Sequence, residues 1–144
     1  MGETPDVEAL KGFNASVVEE FRVNGGKVGG NFAGAAMVLL TTTGAKSGKQ
    51  RLTPLVYQTV DDTMIIIGSY RGADIDPAWV HNLRAHPRAH VEVGTESYDV
   101  TARELPPAQR DPAWVQIVAA APRFGEYQAE TSRVIPLFEL SRDS

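Results

Sequence analysis

Between Asp6 and Val23, apolar side chains recur at helical spacing (Val7, Leu10, Phe13, Val17, Val18, Phe21) while Glu8, Lys11, Glu19, Glu20 and Arg22 occupy the other faces. One apolar stripe with a polar back predicts a helix docked on the body of the domain. Residues 24–36 follow as a glycine-rich connection without periodicity, VNGGKVGGNFAGA from Val23 to Ala35. It reads as a crossover from helix to sheet, or as a lid whose glycine pairs act as hinges and bring Lys27 near an anion. From Met37 the pattern changes. Met37 to Thr43 is apolar and β-branched, Leu52 to Val60 alternates, and Met64 to Ile67 is apolar without interruption, the mark of a strand covered on both faces. Asp61 and Asp62 form the hairpin turn before a strand over Thr63 to Ser69. Val91 to Val93 and Ser97 to Arg103 are joined around Gly94, and Val134 to Leu140 makes a last strand.

Two helices interrupt these strands late in the chain and one lies between them. Asp76 stands as N-cap with Pro77 at the first helical position of a helix running to Ala85. Pro107 to Ala121 is amphipathic, with Trp114, Ile117 and Val118 on one side, and Pro122 to Gln128 opens a shorter helix. About six short, mostly antiparallel strands with an N-terminal helix and flanking helices predict an α+β fold built on a small barrel. A doubly wound sheet would alternate strand and helix throughout.

The chain of 144 residues is expected to form a single domain: helix 1–23, connection 24–36 and barrel body 37–144. A formal charge of −4 argues against nucleic acid as a general partner, and the absence of cysteine excludes thiol catalysis and zinc thiolates. The N-terminus is acidic without an apolar core and no run approaches a membrane span, so a cytoplasmic protein is expected. His81, His86 and His90 lack the carboxylate or helical pairing that would complete a metal site, and no metal is expected.

Against this acidic background, Lys46, Lys49 and Arg51 place three cations within six residues of the first hairpin connection, punctuated by Gly44 and Gly48. Two readings stand open from the residues alone: a wet, polar turn, or a phosphate or carboxylate site in which loop amides join the side-chain cations. The spacing is not that of a Walker A loop, because Lys46 and Ser47 precede Gly48, and the glycines at 25, 26, 29 and 30 follow no strand. A second informative stretch, Ser69 to Asp76, leads into the helix that carries Trp79, His81 and Asn82. Trp79 suits a core position as well as a binding one.

The run from Leu39 to Arg51 followed by Thr53, Pro54 and Leu55 resembles the signature of the deazaflavin (F420)-dependent nitroreductase family. Further matches follow in order: Gly68-Ser69, Gly72-Ala73, Asp76 to Trp79, His81 to Leu83, His86-Pro87, Tyr127-Gln128, Thr131 to Arg133 and Ile135-Pro136. The likeness covers nearly the whole chain. It implies a split β-barrel like that of flavin-binding pyridoxamine-phosphate oxidases, coenzyme F420 as cofactor, and hydride transfer to a small-molecule acceptor such as a quinone, an activated alkene or a nitroaromatic. FMN on the same barrel, and a non-catalytic module carrying a cofactor or an apolar ligand, are the rival readings.

The resemblance implies that Lys46, Ser47, Gly48, Lys49, Arg51, Thr53 and Pro54 hold the anionic half of the cofactor, with the Gly48 amide donating. It places the ring against Ser69, Tyr70, Arg71, Gly72, Ala73, Pro77, Ala78, Trp79 and Asn82. Val56, Ala121, Phe124 and Tyr127 match the acceptor pocket, and Tyr127 and Ser69 are the candidate catalytic proton donors. Departures matter here. Tyr70 occupies a position usually basic in the family, with Arg71 beside it, and Val56, Ala121 and Phe124 stand where the nitroimidazole-reducing relative has tyrosines. Lipid quinones as acceptors would imply peripheral contact with the inner face of the membrane. Monomer and homodimer both remain open.

Overall fold

The computed structural model describes residues 7–29 and 35–143, with side chains from Asn14 onward. The helix start at Asp6, the apolar stripe of Val7, Leu10 and Phe13, and part of the glycine-rich connection lie outside what is described. Helix α1 spans Val7–Val23, followed by β1 (Met37–Thr43), β2 (Gln50–Val60), β3 (Thr63–Ile67), α2 (Ala78–Ala85), β4 (Arg88–Val93), β5 (Glu96–Glu104), α3 (Pro107–Ala120), α4 (Arg123–Ala129) and β6 (Leu137–Arg142). The strands close into an antiparallel barrel in the order β1-β2-β3-β6-β5-β4.

Alternation along the strands divides the core into an inside and an outside. Val38, Leu40, Ile66, Val91, Val100, Ala102, Phe138 and Leu140 fill the interior, joined by Trp79, Val80 and Leu83 from α2, which closes one end of the barrel. Ile65, Ile67 and Leu137 face outward and are covered by Ala113 and Ile117 of α3 and Phe124 of α4. The unbroken apolar run in β3 is thus packed on both faces. Met37 and Leu39 take Val17 and Phe21 of α1, so the amphipathic helix docks on the barrel, and Arg22 ties it to Glu92 of β4 at 2.7 Å. On β5, exposed Ser97, Asp99, Thr101 and Arg103 alternate with buried Val100 and Ala102, and this wall faces solvent.

The two rims differ. One carries tight turns: Asp61 and Asp62, with φ of 51° and 64°, make a two-residue hairpin between β2 and β3, and Gly94 at φ 60° turns β4 into β5. The other carries the long connections 44–49, 68–77 and 105–136.

Several boundaries depart from the expectation. Strand β2 begins at Gln50 rather than Leu52, so Arg51 pairs with Thr42 in the ladder and the loop proper is 44–49. Strand β3 ends at Ile67, and β6 starts at Leu137 instead of Val134, because side chains from α3 and α4 hold residues 133–135 before the ladder begins. Asp76 is not the cap of α2. Pro77 holds the N-cap position, and the Asp76 carboxylate goes to Arg133 at 2.9 Å and Arg84 at 3.1 Å. Two guanidinium partners outcompete a backbone amide for the same oxygens.

Candidate functional site

The 44–49 loop is shaped by its own backbone. Gly44 N–H donates to the Lys49 carbonyl at 2.8 Å, and Gly48, at φ 71°, donates to the Gly44 carbonyl at 3.0 Å. The Gly48 amide expected to reach a ligand is therefore spent within the turn. Ser47 Oγ accepts from Lys49 N–H at 3.2 Å, which leaves the Ser47 O–H to donate elsewhere. The amides of Lys46 and Ser47 have no partner among the described residues. Lys46, Lys49 and Arg51 are exposed, and no carboxylate among the described residues pairs with any of them. Lys46 and Lys49 on the loop, Arg51 at the start of β2 and two open amides form a donor set for an anion, with no partner for these cations among the described residues.

Asn82 secures this loop to the barrel end. Its Nδ2 donates to Thr42 Oγ1 at 3.1 Å and its Oδ1 accepts from Ala45 N–H at 2.9 Å, with the residue buried. It supports the cationic loop from behind. Trp79 is likewise buried in the barrel interior, with its ring edge-on to Phe138 at 5.7 Å. Thr53 falls on the interior-facing side of β2 with Leu55 and Tyr57, while Pro54 falls with Val56 on the outer side.

On the same rim, residues 68–77 leave β3 in an unusual conformation. Tyr70 and Arg71 have φ of 46° and 56°, left-handed values for two consecutive residues with side chains, and Gly72 follows at φ 81°. A Cβ on Gly72 would stand 2.7 Å from Glu130 Oε2 and 3.1 Å from the Tyr127 carbonyl, so only glycine permits this approach to α4. Ala73 and Pro77 are buried beside the turn and Ala78 is exposed. What holds the loop is Arg133. Its Nε donates to the Ala73 carbonyl at 2.8 Å, Nη1 to the Gly68 carbonyl at 3.0 Å and Asp76 Oδ1 at 2.9 Å, and Nη2 to the Ser69 carbonyl at 2.8 Å. Burial pulls the Arg133 pKa down from the ordinary arginine value despite the opposing charges of Asp76 and Asp74. The sequence marked Arg133 only as part of a motif; its neighbours Ser132 and Val134 carried no hint of its targets some sixty residues away.

The acceptor-pocket candidates do come together. Phe124 lies in the outer core beneath α3 and α4, with Val56, Ala121, Tyr127 and Trp114 packed at its edge. Tyr127 stands edge-on to Phe124 at 6.0 Å, half-buried, and neither its hydroxyl nor that of Ser69 bonds to another described residue. From Arg51 to Val56 along β2 is about 17 Å at strand rise. One strand therefore connects the cationic loop to the apolar cluster, and the 68–77 turn touches that cluster through Gly72 and Tyr127.

Known proteins share this chain's sequence and architecture. A family model described as F420H(2)-dependent quinone reductase matches residues 14–141. An F420H(2)-dependent quinone reductase of Mycobacterium tuberculosis is 39% identical over 127 residues, covering 85% of each chain. Among solved structures, the F420-H2 dependent reductase FDR-A is 39% identical with a TM-score of 0.66, over 74% of this chain and 94% of its own. A domain-swapped dimer is 33% identical with a TM-score of 0.68, over 94% of this chain and 98% of its own. A Listeria innocua structure assigned as a pyridoxamine 5'-phosphate oxidase, 11% identical with a TM-score of 0.54 over 76% of this chain and 85% of its own, shares the fold alone.

Proposed function

The chain belongs to the F420H(2)-dependent quinone reductase family, and on that premise we propose how its residues divide the work of an F420H2-dependent oxidoreductase. The observation that carries the reading is the cluster of three cations, Lys46 and Lys49 on the loop and Arg51 at the start of β2, that pair with no carboxylate among the described residues and share a rim with the 68–77 turn. Arg51 suits bidentate contact with phosphate or carboxylate, and the lysines act as point charges beside the Lys46 and Ser47 amides. Such a donor set fits a cofactor with a long anionic tail better than one with a single phosphate. Ser69 to Ala73 would hold the ring. When bound, F420 supplies the hydride; the protein contributes orientation, exclusion of water and a proton.

The acceptor side is Val56, Ala121, Phe124 and Tyr127. With aliphatic or phenyl groups at Val56, Ala121 and Phe124, apolar contact dominates, which favours a quinone over an acceptor that needs several hydroxyl donors. The Tyr127 and Ser69 hydroxyls, free of described partners, are the proton donors of this reading, with bulk water as the rival. If Tyr127→Phe leaves turnover unchanged, Tyr127 is not the donor. Leu52 near the start of β2 and Ile75 and Val134 on the connections of this rim are exposed apolar residues, and they would meet a bilayer surface if the quinone is lipid-borne. Flotation with quinone-loaded vesicles tests that contact. The domain-swapped relative makes sedimentation of this chain worth measuring for a dimer.

The deciding experiment is a fluorescence titration with F420 and, in parallel, with FMN. Tight F420 binding with weak FMN binding is expected. Preference for FMN, or binding of neither, would mean that the cationic loop has been misread.

A further inference from the structure

The Arg133 guanidinium makes three of its four hydrogen bonds to backbone carbonyls of one loop, those of Gly68, Ser69 and Ala73. No peptide among the described residues is cis, so each of these carbonyls opposes the N–H of the following residue across a planar unit. The N–H groups of Ser69, Tyr70 and Asp74 are thereby aimed away from Arg133. Those of Ser69 and Tyr70 have no hydrogen-bond partner among the described residues; Ala73 takes part in an isolated β-bridge, and Gly72 and Ala73 donate within the turn, to the carbonyls of Ser69 at 2.9 Å and Tyr70 at 3.1 Å. A positive charge on the carbonyl side also polarises each peptide and strengthens its N–H as a donor.

We propose that Arg133 is a positioning residue for the cofactor: it gathers three carbonyls behind the 68–76 loop and so presents the amides of Ser69 and Tyr70 as a donor pair to acceptor atoms at the edge of the cofactor ring. This rests on the reading of that loop as the ring site. The left-handed conformation of Tyr70 and Arg71 fits the same role, since residues of that kind persist only where their surroundings over-determine them. Arg133 is itself fixed from the acceptor side. Gln128, next to Tyr127, donates through Nε2 to the Arg133 carbonyl at 2.6 Å and accepts through Oε1 from Ile135 N–H at 3.0 Å. Arg110 donates to Gln128 Oε1 at 3.1 Å and twice to the Ile135 carbonyl, at 3.1 and 3.0 Å. One hydrogen-bonded unit therefore runs from α3 and α4 to the turn against which the ring would sit, and it registers the two halves of the site to each other.

The test compares the full chain with Arg133→Lys, which keeps charge and stem but loses the planar fork, and with Arg133→Ala. Three readouts are needed: F420 affinity by fluorescence, KM and kcat with reduced F420 and a soluble quinone, and amide hydrogen exchange without cofactor. In Arg133→Lys, exchange at Gly72 and Ala73 should accelerate while the β1–β6 ladder stays protected. Affinity for F420 should fall about tenfold or more, as expected when charge-assisted bonds are lost, with KM for reduced F420 rising by the same factor and Arg133→Ala weaker still. Unchanged affinity and unchanged loop exchange in Arg133→Lys would overturn the proposal. So would a uniform loss of protection across the barrel with KM unchanged, the outcome of a merely structural role. If the parent chain binds no F420, the ring-site reading fails with it, and the exchange data still decide whether Arg133 orders the loop.

Discussion

Two loops on one rim of this barrel use positive charge in opposite ways. In 44–51 the cations point into solvent with no carboxylate among the described residues to meet them, and the loop keeps its shape through glycine turns and a clasp from Asn82. In 68–76 the ordering cation arrives from a distant segment, is 15% exposed, and spends its donors on protein carbonyls and Asp76. An arginine whose hydrogen bonds are all made internally builds structure; lysines and an arginine with none among the described residues are open to a ligand. Charge on a rim is informative about ligands only after its protein partners have been subtracted.

The sharpest way to break this comparison is Asp76→Ala. It removes the carboxylate shared by Arg133 and Arg84, leaving a largely buried guanidinium without its counter-charge, and should cost about 2–4 kcal/mol of stability by chemical denaturation. A loss below 1 kcal/mol would show the 68–76 loop to be no more built than a surface turn. Next in size, Lys46→Ala and Arg51→Ala should each weaken F420 binding by about 1.5–3 kcal/mol if charge-assisted bonds form, while unfolding free energy moves by no more than about 0.5 kcal/mol. Equal effects on binding and stability would erase the distinction between the loops. Asn82→Ala sits between the two classes. It strands Thr42 Oγ1 and the Ala45 amide, so a stability loss of about 1–2 kcal/mol is expected together with weaker F420 binding.

The smallest effect tests the structural class of cation at an exposed site. Arg84 hydrogen-bonds Glu104 and holds its carboxyl below the ordinary value, an effect that outweighs desolvation. A depressed carboxyl contributes stability at pH above its unfolded pKa, and that contribution is lost as pH falls through the folded value. Glu104→Gln should therefore flatten the acid side of the stability profile slightly and leave the alkaline side alone. Acid titration of Tm in both proteins would reveal it, and coincident acid limbs would assign the ion pair no weight.

Much of the barrel was legible because strands announce themselves by period. Met37 to Thr43, the Asp61-Asp62 turn and the unbroken Met64 to Ile67 run lie where alternation and turn chemistry put them. The errors fell at ends of elements on the rim that carries the long connections, where side chains from elsewhere overrule local preference. Asp76 had the residue type and place of a helix cap, and two arginines took its oxygens. Val134 had the look of a strand residue, but it is 69% exposed, in a segment whose neighbours are held by Gln128 and Arg110.

Composition, period and motif by themselves determined a cysteine-free barrel with a cationic hairpin connection, since these depend on each residue's own chemistry and its near neighbours. Tertiary structure alone decided which charges are available. Arg51 and Arg133 are alike in the sequence, and only the packed chain brings three carbonyls and a carboxylate to one of them while leaving the other in water. Electrostatic partnership is set by distance in space, and sequence separation carries almost no information about it.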